Sequence, residues 1–309
     1  MSLHHTTKQE VAADGRFTHM NDRTLKVPQG LTADSQTQSF LKLKGLSVIE
    51  SCTLTVNKQG SMYLEDHLVL VVNRGNYRIR YGEQQFTVRP GQMVLLHKAI
   101  AVQYEKFGDP DDLLLEYMMF FLKDDLLSDY MKTANLSALR PSAHAPVSII
   151  PVTERLKKYV ESLKPYFNEP ERIEGELVRL KLLELLFDVA DADSEFLCQI
   201  LQLRRRSDTS IAAVMEENWM NPVSINDLAY LSGRSVSSFK REFQTMYNSP
   251  PSQWLRERRL EKAKELLAKS SMSVTDVCFT TGFENVAHFS KTFKKRFGFP
   301  PSSIRQQSV

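Results

Sequence analysis

Residues 224–254 and 273–304 are two copies of one design, and no other feature of the chain restricts its possible folds so sharply. The first copy runs Ser224-Ile225-Asn226-Asp227-Leu228-Ala229, passes Gly233, and continues to Phe239, Phe243 and Pro250-Pro251-Ser252. The second runs Ser273-Val274-Thr275-Asp276-Val277-Cys278, passes Gly282, and continues to Phe289, Phe293 and Pro300-Pro301-Ser302. The offset is 49 residues up to the glycine and 50 after it, so the second turn carries one extra residue. Each copy predicts a short apolar helix, a glycine turn and a second helix with aromatics four apart. That is the outline of a helix-turn-helix, whose second helix can lie in a DNA major groove.

Phe239 and Phe243 fall one turn apart on a single helix face. The same geometry places Ser237, Arg241 and Gln244 opposite them, with Lys240 on the flank. In the second copy Phe289 and Phe293 form the inward stripe, while Ala287, Ser290, Lys291 and Lys294 point outward. Arg and Lys donate to guanine O6 and N7, and Ser to several base edges or to phosphate, so both outward sets suit base reading. A solvent-facing strip on an ordinary amphipathic helix would look alike in one copy; its duplication favours DNA. Between the copies, Ser252 to Ala268 reads as one helix of about 25 Å at ~1.5 Å per residue. Such a connector suits two recognition helices about 34 Å apart, one DNA turn. Its Arg256, Arg258 and Arg259 do not share a face, so some pair with nearby glutamates, and Lys294-Lys295-Arg296 is the better phosphate-facing run.

These residues carry a resemblance. Ile225-Asn226-Asp227-Leu228-Ala229 with Gly233, Arg258-Arg259-Leu260 with Ala263 and Leu266-Leu267, Ser273 to Val277, and Gly282-Phe283 through Phe299-Pro300-Pro301 resemble the DNA-binding domain of the AraC/XylS family of bacterial transcription regulators. The resemblance covers about residues 209–306. It implies two helix-turn-helix units per monomer, with base contacts from Ser237, Lys240 and Arg241 in the first and from Val286, Ala287, Ser290 and Lys291 in the second. It also implies double-stranded promoter DNA and RNA polymerase as partners, with activation more common than repression. Cys278 stands where the family usually has alanine and reads as core packing. The apolar Val286-Ala287 pair suits thymine methyls or a phosphate grip, which makes the second unit more clamp than reader.

The N-terminal part has a different period. Runs at Leu46–Val56, His67–Val72, Tyr77–Tyr81, Gln85–Val88, Met93–Leu96, Ala101–Tyr104 and Leu113–Leu122, separated by turn residues, predict a small β-sandwich or barrel. With the family resemblance this becomes a cupin-like regulatory domain over residues 40–135. It follows a flexible leader at 1–39 and precedes a helical dimerisation segment and linker at 150–206, then the all-α double helix-turn-helix at 207–306. Tyr63, Arg78, Arg80, Tyr104 and Tyr117 are the candidate ligand contacts, though a structural strand residue is the stronger reading of each. In the helix expected over Glu171–Ala190, Ile173, Leu177, Leu180, Leu183 and Phe187 form one apolar stripe while Leu182, Leu186 and Val189 start a second. One stripe can pack within the domain and the other against a second subunit, which predicts a homodimer. Two controls of the DNA reader are open: a small-molecule effector, or a regulatory protein docked on the N-terminal half, as in family members that govern secretion or virulence.

Composition excludes other classes. No apolar run approaches the roughly 18–20 residues of a membrane span, and the first forty residues lack a signal-peptide core. Cys52, Cys198 and Cys278 have neither metal-ligand nor disulfide spacing, which fits a reducing cytoplasm. A cupin-type enzyme fused to a DNA-binding domain would need a cluster of His and carboxylate ligands, and His67 and His97 form none. The expectation is therefore no metal, no cofactor and no catalytic residue. From Ser207 onward 14 Lys/Arg face 10 Asp/Glu, a net of +4 against +3 for the whole chain, so the basic excess lies in the repeat-bearing part.

Overall fold

A computed structural model describes residues 24–31, 38–55, 57–137, 139–140, 145–201 and 210–307. The N-terminal half is two β-sheets face to face. One holds β1 (Leu25–Val27), β4 (Lys58–Leu64), β9 (Ala101–Phe107), β6 (Asn76–Tyr81) and β7 (Gln84–Val88), in that order. The other holds β11 (Val147–Pro151), β8 (Gln92–Leu96), β5 (His67–Arg74), β10 (Leu115–Leu122), β3 (Leu46–Leu54) and β2 (Gln38–Leu43). The pairings along β10 explain its unbroken apolar run. Tyr117, Met119 and Phe121 face the space between the sheets. Met118, Phe120 and Leu122 face a second core, made with helices α1 (Asp124–Thr133), α2 (Glu154–Leu163), α3 (Gly175–Ala192) and α4 (Ser194–Ile200). A strand buried on both sides has no polar face to alternate.

Several elements differ from expectation. Leu25–Val27, within the presumed leader, pairs in parallel with Met62–Leu64 and buries Val27. Lys58-Gln59-Gly60, which reads as a turn, opens β4 opposite Tyr104–Lys106 of β9. β11, just after Pro146, extends the sheet by pairing with β8. Helix α3 begins at Gly175, after a 3-10 turn at Pro170–Arg172, rather than at Glu171. Arg204-Arg205-Arg206 lies outside the described residues.

The C-terminal half is helical: α5 (Ile211–Asn218), α6 (Ile225–Leu231), α7 (Val236–Tyr247), α8 (Pro251–Lys269), α9 (Val274–Thr280) and α10 (Val286–Phe297). It has two hydrophobic centres. Phe239 and Phe243 pack with Leu228, Met215 and Leu255 in one; Phe289 and Phe293 pack with Val277, Cys278, Leu260 and Leu267 in the other. Helix α8 lends its first turns to one unit and its later turns to the other. No helix among the described residues is long and apolar enough to cross a membrane.

Candidate nucleic-acid interface

The repeat is legible residue by residue. Ser224 caps α6 by accepting the Asp227 amide at 3.2 Å, and Asp227 returns the bond by accepting the Ser224 amide at 2.8 Å. Ser273 and Asp276 do the same for α9 at 3.0 and 3.2 Å. Such reciprocal caps satisfy orphan amides at a helix start, and losing one costs about 1 kcal/mol. Gly233 and Gly282 end the first helices with φ of 68° and 79°, the left-handed region that a side chain resists. Ser235 and Asn285 then cap α7 and α10.

Burying the paired phenylalanines turns the opposite faces outward. Ser237, Lys240, Arg241 and Gln244 are exposed on α7. On α10, Ala287, Lys291 and Lys294 are exposed, while Val286 and Ser290 are half-buried. Among the described residues, no side-chain hydrogen bond or ion pair engages Lys240, Arg241, Gln244, Lys291 or Lys294. Three neighbouring arginines are occupied. Arg234 reaches Glu242 at 2.7 Å, and Arg296 bridges Glu257 and Glu261 of α8 at 2.6 and 3.1 Å. Arg258 pairs with Glu216 and lies over the Trp219 and Trp254 rings. Arg256 is left exposed beside the cleft between the two units.

Residues 228–307 match the helix-turn-helix domain family, and residues 67–199 match the ExsA N-terminal regulatory domain family. The chain is 25% identical over 268 residues to the thermoregulatory protein LcrF of Yersinia pestis, spanning 86% of this chain and 90% of that one. It is 24% identical over 253 residues to the HTH-type transcriptional regulator ExsA of Pseudomonas aeruginosa, spanning 81% and 87%. The chain belongs to the AraC/XylS family. This AraC/XylS protein is a DNA-binding transcription regulator. A structure of ToxT from Vibrio cholerae with bound unsaturated fatty acid overlaps 88% of this chain and 96% of its own at 10% identity and a TM-score of 0.41, too low a likeness to transfer a ligand.

In this AraC/XylS protein the β-domain is seated on the DNA reader. The strand period of two sends Met62 and Leu64 of β4 into the sandwich and Tyr63 out of it, into the hydrophobic centre of the first unit. There the buried Tyr63 hydroxyl donates to Asp227 Oδ2 at 2.8 Å. Burial and the Asp227 carboxylate together raise its pKa far above the usual phenol range. Lys26 of β1 pairs with Glu284 at 2.6 Å. Glu284 lies in the second turn, which is one residue longer than the first, so the longer turn is the one that meets the regulatory domain. Lys98 sits 4.8 Å from the centre of the Tyr230 ring on α6, and the His67 ring meets that ring edge-on.

The five candidate ligand contacts do not form one group. Arg78 and Arg80 alternate with Tyr77 and Ile79 along β6, so they point away from the sandwich interior, and Arg78 pairs with Glu105 at 2.7 Å. Tyr63 is the interdomain donor just described. Tyr104 and Tyr117 do converge, with Tyr77, around the buried Lys106 ammonium, which lies 5.0, 4.6 and 5.4 Å from their ring centres. Lys106 donates to the Tyr117 hydroxyl at 2.5 Å. Beside this cluster the fully buried Glu50 accepts from Gln38 at 3.1 Å through one oxygen, while its other oxygen and the Tyr77 hydroxyl have no partner among the described residues. Burial raises the Glu50 pKa to about 7 against the pull of Lys106. Sequence reading passed over Glu50, Tyr77 and Lys106. The signal was a charge at an inward strand position, as in the Val102, Tyr104, Lys106 alternation.

The α3 stripes separate as well. Leu182, Leu186 and Val189 are buried in the domain core, and Ile173 and Leu183 are packed partly against it. Leu177, Leu180 and Phe187 remain exposed, Leu180 by 61%.

Proposed function

We propose that α7 and α10 enter successive major-groove segments of double-stranded promoter DNA. Ser237, Lys240, Arg241 and Gln244 act as the sequence reader, and Val286, Ala287, Ser290, Lys291 and Lys294 as the clamp. One observation carries this reading: these two faces keep their cations unpaired while Arg234, Arg258 and Arg296 around them are consumed by carboxylates. The protein performs no catalysis. Its output is recruitment of RNA polymerase as an activator, in line with the family resemblance. The exposed Leu177, Leu180 and Phe187 face of α3 meets the same face of a second subunit, which makes the regulator a homodimer.

Control passes from the β-domain through Tyr63–Asp227 and Lys26–Glu284. A small polar ligand is the effector that best suits the interior, because Glu50 and Tyr77 hold buried polar atoms without partners among the described residues, a state that costs about 1–3 kcal/mol per group. In a promoter reporter, Glu50→Gln with Tyr77→Phe should leave DNA binding intact and abolish the response to growth conditions. A preserved response would hand control to a regulatory protein docked on the outside.

The DNA assignment is tested by titrating specific and random duplexes at several salt concentrations. Lys240→Ala and Arg241→Ala should each lose about 1–3 kcal/mol on the specific duplex and relax readout locally. Lys294→Ala should weaken both duplexes alike and reduce the salt slope by about one unit. Equal losses on both duplexes for all three variants would refute the reader positions.

A further inference from the structure

The two helix-turn-helix units do not share a hydrophobic centre; each closes around its own phenylalanine pair, and α8 runs between them. A single helix leaves two bodies free to swing about its axis unless something else joins them. The β-domain bonds each unit separately, through Tyr63 to Asp227 and Lys26 to Glu284, and Arg259 bonds one unit directly to the other. Its guanidinium donates from Nε to the Trp219 carbonyl at 2.7 Å and from Nη2 to the Asn221 carbonyl at 2.6 Å, both just after α5 in the first unit. From Nη1 it donates to the Gly282 carbonyl at 3.0 Å, in the turn of the second unit. The side chain is partly buried, and the planar fork allows three carbonyls to be met at once in fixed directions.

Gly282 makes the join possible. A Cβ there would stand 2.8 Å from the Met220 carbonyl oxygen and 3.0 Å from Arg259 Nε, at a φ of +79°. The second turn therefore abuts the backbone of the first unit with no room for a side chain. The neighbouring arginines of α8 are engaged differently: Arg258 with Glu216, and Arg256 with no partner among the described residues.

We propose that Arg259 is a positioning residue that sets the distance and phase between the two recognition helices, and so determines which half-site spacing the protein accepts. It touches no base itself. The proposal rests on the assignment of α7 and α10 as the DNA-contacting helices. Two segments read on one duplex face must keep their helical phase, and inserting one base pair rotates one segment about 34° relative to the other. A rigid pair of units rejects that change, whereas a hinged pair follows it.

The test starts from duplexes selected by the full-length wild-type protein from a random library. From a selected site, versions are made with one base pair added or removed between the half-sites, and each half-site is also prepared alone. The wild type should lose about tenfold or more for either change, an energy near 1.4 kcal/mol. Arg259→Met, which keeps the chain length but removes every donor, should bind all three spacings within about threefold of one another. Its affinity for isolated half-sites should match the wild type. Arg259→Lys restores one or two of the bonds and should recover part of the discrimination. Gly282→Ala disturbs the same joint from the other side and should flatten the spacing profile as well, so the idea stays testable if Arg259→Met fails to fold. A wild-type spacing profile in folded Arg259→Met or Gly282→Ala protein overturns the proposal. Failure of the wild type to select any sequence would instead overturn the DNA-reading assignment.

Discussion

Replacing Tyr63 with phenylalanine removes one hydroxyl from the seam between the β-domain and the first helix-turn-helix unit. The hydroxyl donates to a carboxylate at 2.8 Å from a residue 1% exposed, so its bond is charge-assisted and part-buried. Such bonds contribute about 1.5–3 kcal/mol. Asp227 keeps its second bond, to the Ser224 amide, and the helix cap survives the change. Asp227→Ala, by contrast, removes both the seam bond and the return bond of the capping box from the Ser224 amide, for a further loss of about 1 kcal/mol, while the Ser224 hydroxyl still caps the helix through the backbone amide of residue 227. In a double-mutant cycle the return bond cancels and the seam remains, so the coupling between Tyr63→Phe and Asp227→Ala should be about 1.5–3 kcal/mol. Native-state hydrogen exchange at the Phe239 and Phe243 amides reads it, because they report opening of the first unit. The repeat supplies a control: Asp276, the counterpart of Asp227, bonds Ser273 of its own turn. Tyr63→Phe and Asp276→Ala should therefore add independently. A Tyr63–Asp227 coupling below about 0.5 kcal/mol, no larger than that control, would refute the seating of the β-domain on the DNA reader.

Two further outcomes are expected. The Glu50 carboxyl has a native pKa of about 7 against 4.5 in the unfolded chain, so the native state holds the proton more tightly; stability from this group is complete below pH 4.5, falls as pH rises through 7, and differs by about 3 kcal/mol across that window. Urea titrations from pH 4.5 to 8 should show this fall, and Glu50→Gln should flatten it; an unchanged slope would remove Glu50 from the interior. Leu180→Glu places a charge at the most exposed apolar position of α3 and should convert dimer to monomer in sedimentation at micromolar concentration without altering the far-ultraviolet spectrum, whereas a variant that stays dimeric would move the interface elsewhere.

What could be read without the structure was local. Ser-x-x-Asp, a glycine nine residues after the serine and phenylalanines four apart act over short stretches of chain, so capping boxes, left-handed turns and the buried face of α7 and α10 follow from spacing alone. The outward position of Lys240, Arg241, Lys291 and Lys294 follows from the same period. Strands were harder. Lys58-Gln59-Gly60 carries turn residues, yet pairs with β9 because the neighbouring strand supplies the hydrogen bonds that propensity does not.

Periodicity says which face of an element is covered, never what covers it. That is why Tyr63 read as a lining residue of a pocket when its partner is a capping aspartate 164 positions away. The same limit hid the grouping of Glu50, Tyr77 and Lys106: Tyr77 and Lys106 face each other across β6 and β9, and Glu50 on β3 joins them only when the two sheets close. Local spacing was enough to establish that this chain carries two helix-turn-helix units. How those units are joined at Arg259 and where the regulatory domain rests on them emerged only from the folded chain, because both depend on side-chain bonds to partners distant in sequence.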